Sequence, residues 1–266
     1  MSSPLLVHSH SPDAQLTTVR VTPESAHWRY VGFEARQLAP GAVTTGDSGQ
    51  TEICLVLVRG RARIEGAGQD FGILGERLSP FDGLPWSVYL PPGSAWRVTA
   101  EDEAELAICA SPAKGLYGPR VITPEETGEI TRGSGANLRR VRNILPDTAP
   151  AETLLVVEVI TPGGNWSSYP PHKHDTDDVP NETYLEETYY HRLRRGSGFA
   201  LQRVYTKDGT LDEAMAIADR DVVLVPRGYH PVGAPAGFDL YYLNVMAGPV
   251  RQWKFSMDPD HAHIPY

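Results

Sequence analysis

Cysteine is scarce. The 266 residues hold two, Cys54 and Cys109. Each lies in an apolar run and neither belongs to a CxxC pair, so two buried free thiols are expected rather than a disulfide. Positive charge is in deficit as well: 24 lysines and arginines against 33 aspartates and glutamates give a formal net charge of −9. That disfavours a general nucleic-acid binder, which carries a basic patch. An anionic small molecule is still compatible, because a pocket has its own local field. No apolar run approaches the roughly 18–20 residues that span a membrane. The first 16 residues have neither a basic start nor a long apolar core, so no signal peptide is expected. A soluble cytoplasmic protein, without nucleic-acid or membrane partners, is the resulting expectation.

Helical periodicity is missing too; in the first half no stretch of about 12 residues repeats convincingly at 3.6. Punctuation stands in its place. The 25 glycines and 23 prolines favour turns and β structure over a helix bundle. Between them, apolar residues come in short bursts. Expected strands in the first half are Tyr30–Ala35, Thr51–Val58, Arg61–Glu65, Trp86–Pro91, Trp96–Thr99 and Ala104–Ala110. In the second they are Thr153–Thr161, Asn165–Tyr169, Tyr184–Leu193, Gly198–Thr206, Asp221–Pro226 and Phe238–Val245. Asp208-Gly209 centres a hairpin turn, and Leu211–Ala218 reads as either strand or short helix. The polar start, with His8 and His10, reads as a loosely attached tail, and residues 111–150 as a connecting region. The tail from Gly248, with Trp253 and Phe255, is aromatic enough to pack on the body.

The two halves share an order of features. Pro91-Pro92-Gly93 in the first and Pro226-Arg227-Gly228 in the second each end one strand shortly before another begins. An all-β protein of two tandem antiparallel barrels is expected. Residues 1–150 form the first with its connecting region, and residues 151–266 form the second with the tail. Only the second half has histidines at the matching positions. His172 and His174 are two residues apart, so on a strand both face one side. A carboxylate and a distant imidazole, His230, follow. Three histidines and a glutamate suit one borderline divalent ion per chain, zinc first, with manganese or iron as alternatives.

His172-x-His174, Glu187 and Pro226-x-Gly228-x-His230 resemble the paired motifs of the cupin superfamily, small antiparallel barrels, and the tandem layout resembles a bicupin. More narrowly, Ser168-Tyr169-Pro170-Pro171-His172-Lys173-His174-Asp175, Glu187-Thr188-Tyr189-Tyr190-His191 and Arg227-Gly228-Tyr229-His230-Pro231-Val232 resemble the 5-deoxy-glucuronate isomerase family of myo-inositol catabolism. That family is related to the 5-keto-4-deoxyuronate isomerases of pectin breakdown. Two departures from the general cupin pattern stand out. Ala234 occupies the place where an asparagine often follows, which leaves Asn244 as a supporting residue. Twelve residues, Asp175 to Glu186, separate His174 from Glu187, so Glu182 and Glu186 are rival ligands. Parity selects Glu187: it shares a face with Leu185, Tyr189 and Leu193, while Glu186 shares the outward face with Thr188 and Arg192.

Three imidazoles and one carboxylate leave such an ion a net positive charge and open positions. That suits an aldehyde and its neighbouring hydroxyl, and polarising the carbonyl leads through a cis-enediolate from aldose to ketose. The resemblance implies 5-deoxy-glucuronate as the substrate and 5-dehydro-2-deoxygluconate as the product. Tyr189 and His191, on the face of Glu187, are the candidates for proton transfer, with a metal-bound hydroxide as a third. Lys173, Arg192, Arg203 and Arg227 are the nearby cations for a substrate carboxylate. The run Arg139-Arg140-Val141-Arg142 is either a solvated face or an anchor for an acidic substrate. Tyr242 is an aromatic candidate to fence the ligand. The competing readings are an iron dioxygenase and a non-catalytic sugar-acid-binding barrel. Exposed strand edges make a homo-oligomer the expected assembly.

Overall fold

Strands account for almost all regular structure in the computed structural model, which describes residues 3–264. The two α-helices are single turns, Pro23–Ala26 and Pro124–Thr127. Each starts at a threonine that accepts a hydrogen bond from the third helical amide, with proline at the first position. They act as corners rather than packing elements. The strands fall into two units, one formed by His10–Gly128 with Asn143–Val156, the other by the chain up to Ser9, Glu129–Arg142 and the chain from Val157 onwards.

The unit containing His10–Gly128 has a six-stranded sheet in the order Arg120–Ile122, Ser87–Leu90, Thr51–Arg59, Ala104–Pro112, Gly32–Leu38, Thr17–Val21. A four-stranded sheet runs Val43–Asp47, Ala95–Ala100, Ala62–Gly66, Gln69–Leu74. Its core gathers Leu55, Leu57, Ile64, Val88, Leu90, Val98 and Leu106. The alternation of buried and exposed positions along Ala95–Ala100 is the period of a sheet with one wet face. Cys54 and Cys109 are free, buried and directly opposite in register. Burial pushes the Cys54 thiol up to about 12, so it is inert. Buried Glu52 gathers a set of donors: Tyr89 Oη at 2.7 Å and the amides of Glu152, Thr153 and Leu154 at 2.9, 2.7 and 2.7 Å.

The second unit carries most of a seven-stranded sheet ordered Leu6–Val7, Val222–Val225, Glu186–Leu193, Leu240–Ala247, Leu154–Thr161, Arg139–Leu145, Ile130–Arg132. A four-stranded sheet, Trp166–Ser167, Val232–Gly233, Ala200–Tyr205, Asp212–Ile217, and the short pair His172–Lys173 with Ser256–Met257 complete it. Arg142 is buried in the large sheet. Its Nε is 2.7 Å from Glu129, its Nη1 is 2.8 Å from Glu158, and Tyr241 Oη donates to the same Glu158 at 3.0 Å. Pairing of this kind is what makes a buried guanidinium tolerable.

Several expectations change. The start of the chain is tied down: Leu6 and Val7 pair with Val223 and Val222, and His8 Nδ1 lies 3.1 Å from Asp221. His8 and His10 do not converge, since His10 Nδ1 meets Ser11 O instead. The connecting region contains three strands, Arg120–Ile122, Ile130–Arg132 and Arg139–Leu145. Asp212–Ile217 is a strand, paired with Ala200–Tyr205 across the expected hairpin. The outward face of Glu186–Leu193 is not wet, for every residue of that strand is buried. Its parity therefore separates two dry environments rather than core from solvent. The tail does pack, through Ser256–Met257.

Candidate metal centre

Four short pieces of chain assemble the centre. His172 sits in a two-residue strand held by pairing with Ser256–Met257, and His174 follows it. Glu187 lies near the start of Glu186–Leu193, an inner strand between Val222–Val225 and Leu240–Ala247. His230 follows the turn at Gly228, whose φ is +85° and where a Cβ would stand 2.3 Å from Tyr205 O. Only glycine fits there. The Gly228 amide donates to Asp175 Oδ2 at 2.8 Å, which ties the turn before His230 to the segment after His174.

One ring nitrogen from each of His172, His174 and His230 lies within 4.8 Å of the other two, and all three side chains are buried. Glu187 Oε2 is 3.0 Å from His174 Nε2 and 3.3 Å from His230 Nε2. The second nitrogen of two of the rings meets a backbone carbonyl: His174 Nδ1 is 3.0 Å from Leu185 O, and His230 Nδ1 is 2.9 Å from Gly228 O. A carbonyl only accepts, so Nδ1 carries the proton and Nε2 of the neutral ring presents a lone pair. Two lone pairs thus face one carboxylate, an arrangement that repels unless positive charge lies among them. His172 Nδ1 and His230 Nε2 are buried with no hydrogen-bond partner among the described residues. The residues present therefore fit a divalent cation with nitrogen and oxygen ligands.

Protonation points the same way. Burial, then the neighbouring imidazoles, hold His172 well below the usual histidine range, and burial takes His230 down to about 4. Both are neutral at pH 7, as metal ligation requires. Burial also opposes charge on His174, but the Glu187 carboxylate outweighs it and raises the pKa.

The rival carboxylates have other positions. Glu182 accepts from Lys173 Nζ at 2.9 Å and from the amides of Asp175 and Thr176 at 2.8 and 2.9 Å, so it braces the loop after His174. Glu186 points to the alternate face of its strand.

A cavity of about 20 Å³ adjoins His172, lined by Tyr189, Tyr242, Asn244 and Trp253 together with Arg132 and Arg139. It has room for about one water. Tyr189 Oη is 2.9 Å from Ser168 Oγ. Burial, then Glu187, hold its pKa well above the phenol range. His191 lies outside the cavity lining. Its ring stacks on Tyr189 at 5.9 Å and 18°, and its Nε2 is 3.1 Å from Gln202 Oε1. Burial brings it down to about 4.

Of the expected substrate contacts, the structure brings Tyr242 to the cavity but none of the four cations. Lys173 pairs with Asp175 at 2.5 Å and with Glu182. Arg192 Nε bonds Asp219 at 2.9 Å. Arg203 makes a two-pronged pair with Asp212 at 2.7 and 2.8 Å. Arg227 is exposed and reaches Thr210 at 3.1 Å. Lys173, Arg192 and Arg227 lie within three residues of a histidine in sequence, but the side chains make their contacts elsewhere. The cavity instead meets Arg139, from the basic run, and Arg132, which nothing in the local sequence marked.

Fold and site together define a tandem-barrel protein of cupin type with a histidine cluster able to hold a metal. A crystal structure of an oxalate decarboxylase from Lactobacillus farciminis superposes with a TM-score of 0.66 at 14% identity, covering 100% of this chain and 95% of that one. At that identity the likeness is one of fold alone. The chain belongs to the KduI/IolB family, which it matches over residues 5–264. A protein of Geobacillus kaustophilus (strain HTA426) named 5-deoxy-glucuronate isomerase is 54% identical over 260 residues, 97% of this chain and 94% of that protein. One of the same name from Bacillus subtilis (strain 168) is 48% identical over 246 residues, 92% and 91% of the two chains. The crystal structure of an IolB-like protein from Salmonella typhimurium LT2 has a TM-score of 0.94 and 50% identity, covering 97% of this chain and 98% of that one. Among the described residues, no helix is long and apolar enough to cross a membrane.

Proposed function

We propose that this chain is a metal-dependent aldose–ketose isomerase that converts 5-deoxy-D-glucuronate into 5-dehydro-2-deoxy-D-gluconate in myo-inositol degradation. The observation that carries the reading is the convergence of three buried histidines, two of them on Glu187 Oε2. It lies in a chain about half identical to proteins bearing that enzyme's name. His172, His174, His230 and Glu187 would hold the ion, with zinc the first candidate. When bound, it supplies Lewis-acid polarisation of the aldehyde, which acidifies the neighbouring C–H.

The net change moves one proton from C2 to C1 and one from the C2 oxygen to the C1 oxygen, with no oxidant or reductant. Tyr189 stays protonated and is oriented at Oη by Ser168, which suits it to carry the oxygen-bound proton. His191 takes a positioning task. It braces the Tyr189 ring and, through Gln202, whose Nε2 donates to His230 O at 3.4 Å, the backbone of a ligand.

A cytoplasmic setting suits the two free thiols. A homo-oligomer suits the exposed Trp166, Phe199 and Leu201; a monomer in sedimentation velocity would remove that part. The deciding experiment is a proton NMR time course on 5-deoxy-glucuronate in deuterated water without oxygen, before and after chelation. The reading requires a ketone product that forms only with metal. No product under any metal would sink it.

A further inference from the structure

The cavity beside His172 has a volume of about 20 Å³, whereas a pocket for a small organic ligand spans roughly 300–1,000 Å³. A sugar acid therefore reaches the histidines only if part of their cover moves. The inner strands are poor candidates: Glu186–Leu193 and Leu240–Ala247 are paired on both sides and buried along their whole length. The turn before His230 is pinned at Gly228. The tail is built differently. It leaves Leu240–Ala247 at Gly248, where a Cβ would stand 1.9 Å from Tyr184 O, so its start is fixed. Beyond that point Trp253 lines the cavity, and the Phe255 ring lies 4.7 Å from that of His172. Trp253, Phe255, Ser256 and Met257 are half-buried. Their sheet is the two-stranded pair with His172–Lys173, and so short a pair is marginal by itself.

A latch holds the far end of this segment. Asp258, fully buried, accepts a hydrogen bond from Tyr205 Oη and pairs with Lys207 Nζ at 2.5 Å. Its own amide donates to Pro171 O at 2.8 Å. Lys207 reaches Asp260 as well, at 2.5 Å. Midway, Thr183 Oγ1 donates to Gln252 O at 2.6 Å, and the Thr183 amide to Lys254 O at 3.1 Å. Polar bonds thus do much of the work of keeping two aromatic rings over the histidines. Bonds of this kind exchange for water at small net cost, so the segment can lift while the sheet beneath it persists.

We propose that residues 249–260 form a strap that gates the histidine centre. The strap swings about Gly248 when Asp258 parts from Tyr205 and Lys207. Trp253 and Phe255 then leave the histidines, and the space they vacate admits the open-chain sugar acid. Closure returns both rings to the centre, a loop motion of the kind that sets many turnover rates. The proposal rests on the isomerase reading for what enters, and on the tail's own contacts for the gate.

The test locks the strap. Lys173 and Ser256 are register partners, and the Cα separation of about 4.5–5.5 Å across such a pair suits a disulfide. The metal-loaded double variant Lys173→Cys with Ser256→Cys is compared with itself, oxidised and reduced. Cys54 and Cys109 are buried and stay out of the reaction. Thiol titration establishes the cross-link and circular dichroism the fold. Oxidation should lower kcat/KM on 5-deoxy-glucuronate by at least about 20-fold, and reduction should restore it. Calorimetric binding of the unreactive alditol acid, made by reducing the aldehyde, should fall and recover in step. A second measurement needs no cross-link. Asp258→Asn keeps the shape of the latch and removes its charge. Hydrogen exchange in residues 250–257 and capture of the ion by a chelator should both quicken by about tenfold, the worth of a charge-assisted hydrogen bond, with exchange in Glu186–Leu193 unchanged. Equal turnover and binding in the oxidised and reduced forms overturn the strap. So does a tail that exchanges as slowly as Glu186–Leu193 both in the parent and in Asp258→Asn. If neither form turns over while the reduced form alone binds the alditol acid, the isomerase reading falls and the gate stands.

Discussion

Replacing Glu187 by glutamine tests the centre most directly. The amide is nearly the same size, so no cavity opens and the strand should keep its pairing. What changes is charge: the oxygen 3.0 Å from His174 Nε2 and 3.3 Å from His230 Nε2 no longer offsets a dication. Zinc bound by four protein ligands contributes about 10–16 kcal/mol, so one ligand's share is about 2.5–4 kcal/mol. That corresponds to a loss of about 10²- to 10³-fold in affinity. The assay is competition with a chromophoric chelator, supported by elemental analysis and by circular dichroism to establish that the fold persists. Glu182→Gln is the control. Glu182 braces Lys173 and the amides of Asp175 and Thr176, so its loss should loosen that loop and leave affinity within about threefold. If Glu187→Gln held its ion as tightly as the parent while Glu182→Gln or Glu186→Gln released it, the ligand assignment would be wrong.

Other outcomes follow from the same geometry. His191 has a folded pKa of about 4 against about 6.5 unfolded, so the unfolded chain takes up the proton first. Stability is therefore lost as pH falls from about 6.5 to 4, by on the order of 3 kcal/mol. In chelator, urea titrations at pH 6.5 and 5 should differ less for His191→Gln than for the parent, by about 2 kcal/mol; equal differences would refute the assignment. Glu52→Ala strands three amides and the Tyr89 hydroxyl. It should cost about 3–6 kcal/mol in denaturant unfolding, and a cost below about 1 kcal/mol would show those donors rescued by water. Gly228→Ala meets the Tyr205 carbonyl at 2.3 Å with φ +85°, and should lower metal affinity by shifting His230. Unchanged affinity would mean the turn relaxes without moving the imidazole.

Much of the architecture was legible because burial imposes a period. The run Leu154–Thr161 and the alternation near Ala95–Ala100 record which faces are dry, and strand ends fall at glycine and proline. The strands that escaped notice, Thr17–Val21, Val43–Asp47 and Gln69–Leu74, are polar or glycine-broken, and sheet pairing rather than composition makes them strands. At the site, two-residue spacing places His172 and His174 on one side, and parity separates Glu187 from Glu186. What parity cannot supply is the neighbour across the sheet. Arg132 and Arg139 reach the cavity through strands remote in sequence from His172, whereas Lys173, Arg192 and Arg203 have acidic partners of their own.

The unit that bears the histidines is not one stretch of sequence. It takes its edge strand from the residues before Ser9 and both cavity arginines from Glu129–Arg142, and resumes only at Val157. A gene segment encoding the chain from residue 151 onwards would carry every imidazole of the cluster, yet lack Arg132, Arg139 and the strand that covers Val222–Val223. Recombination therefore cannot move this centre as a single cassette.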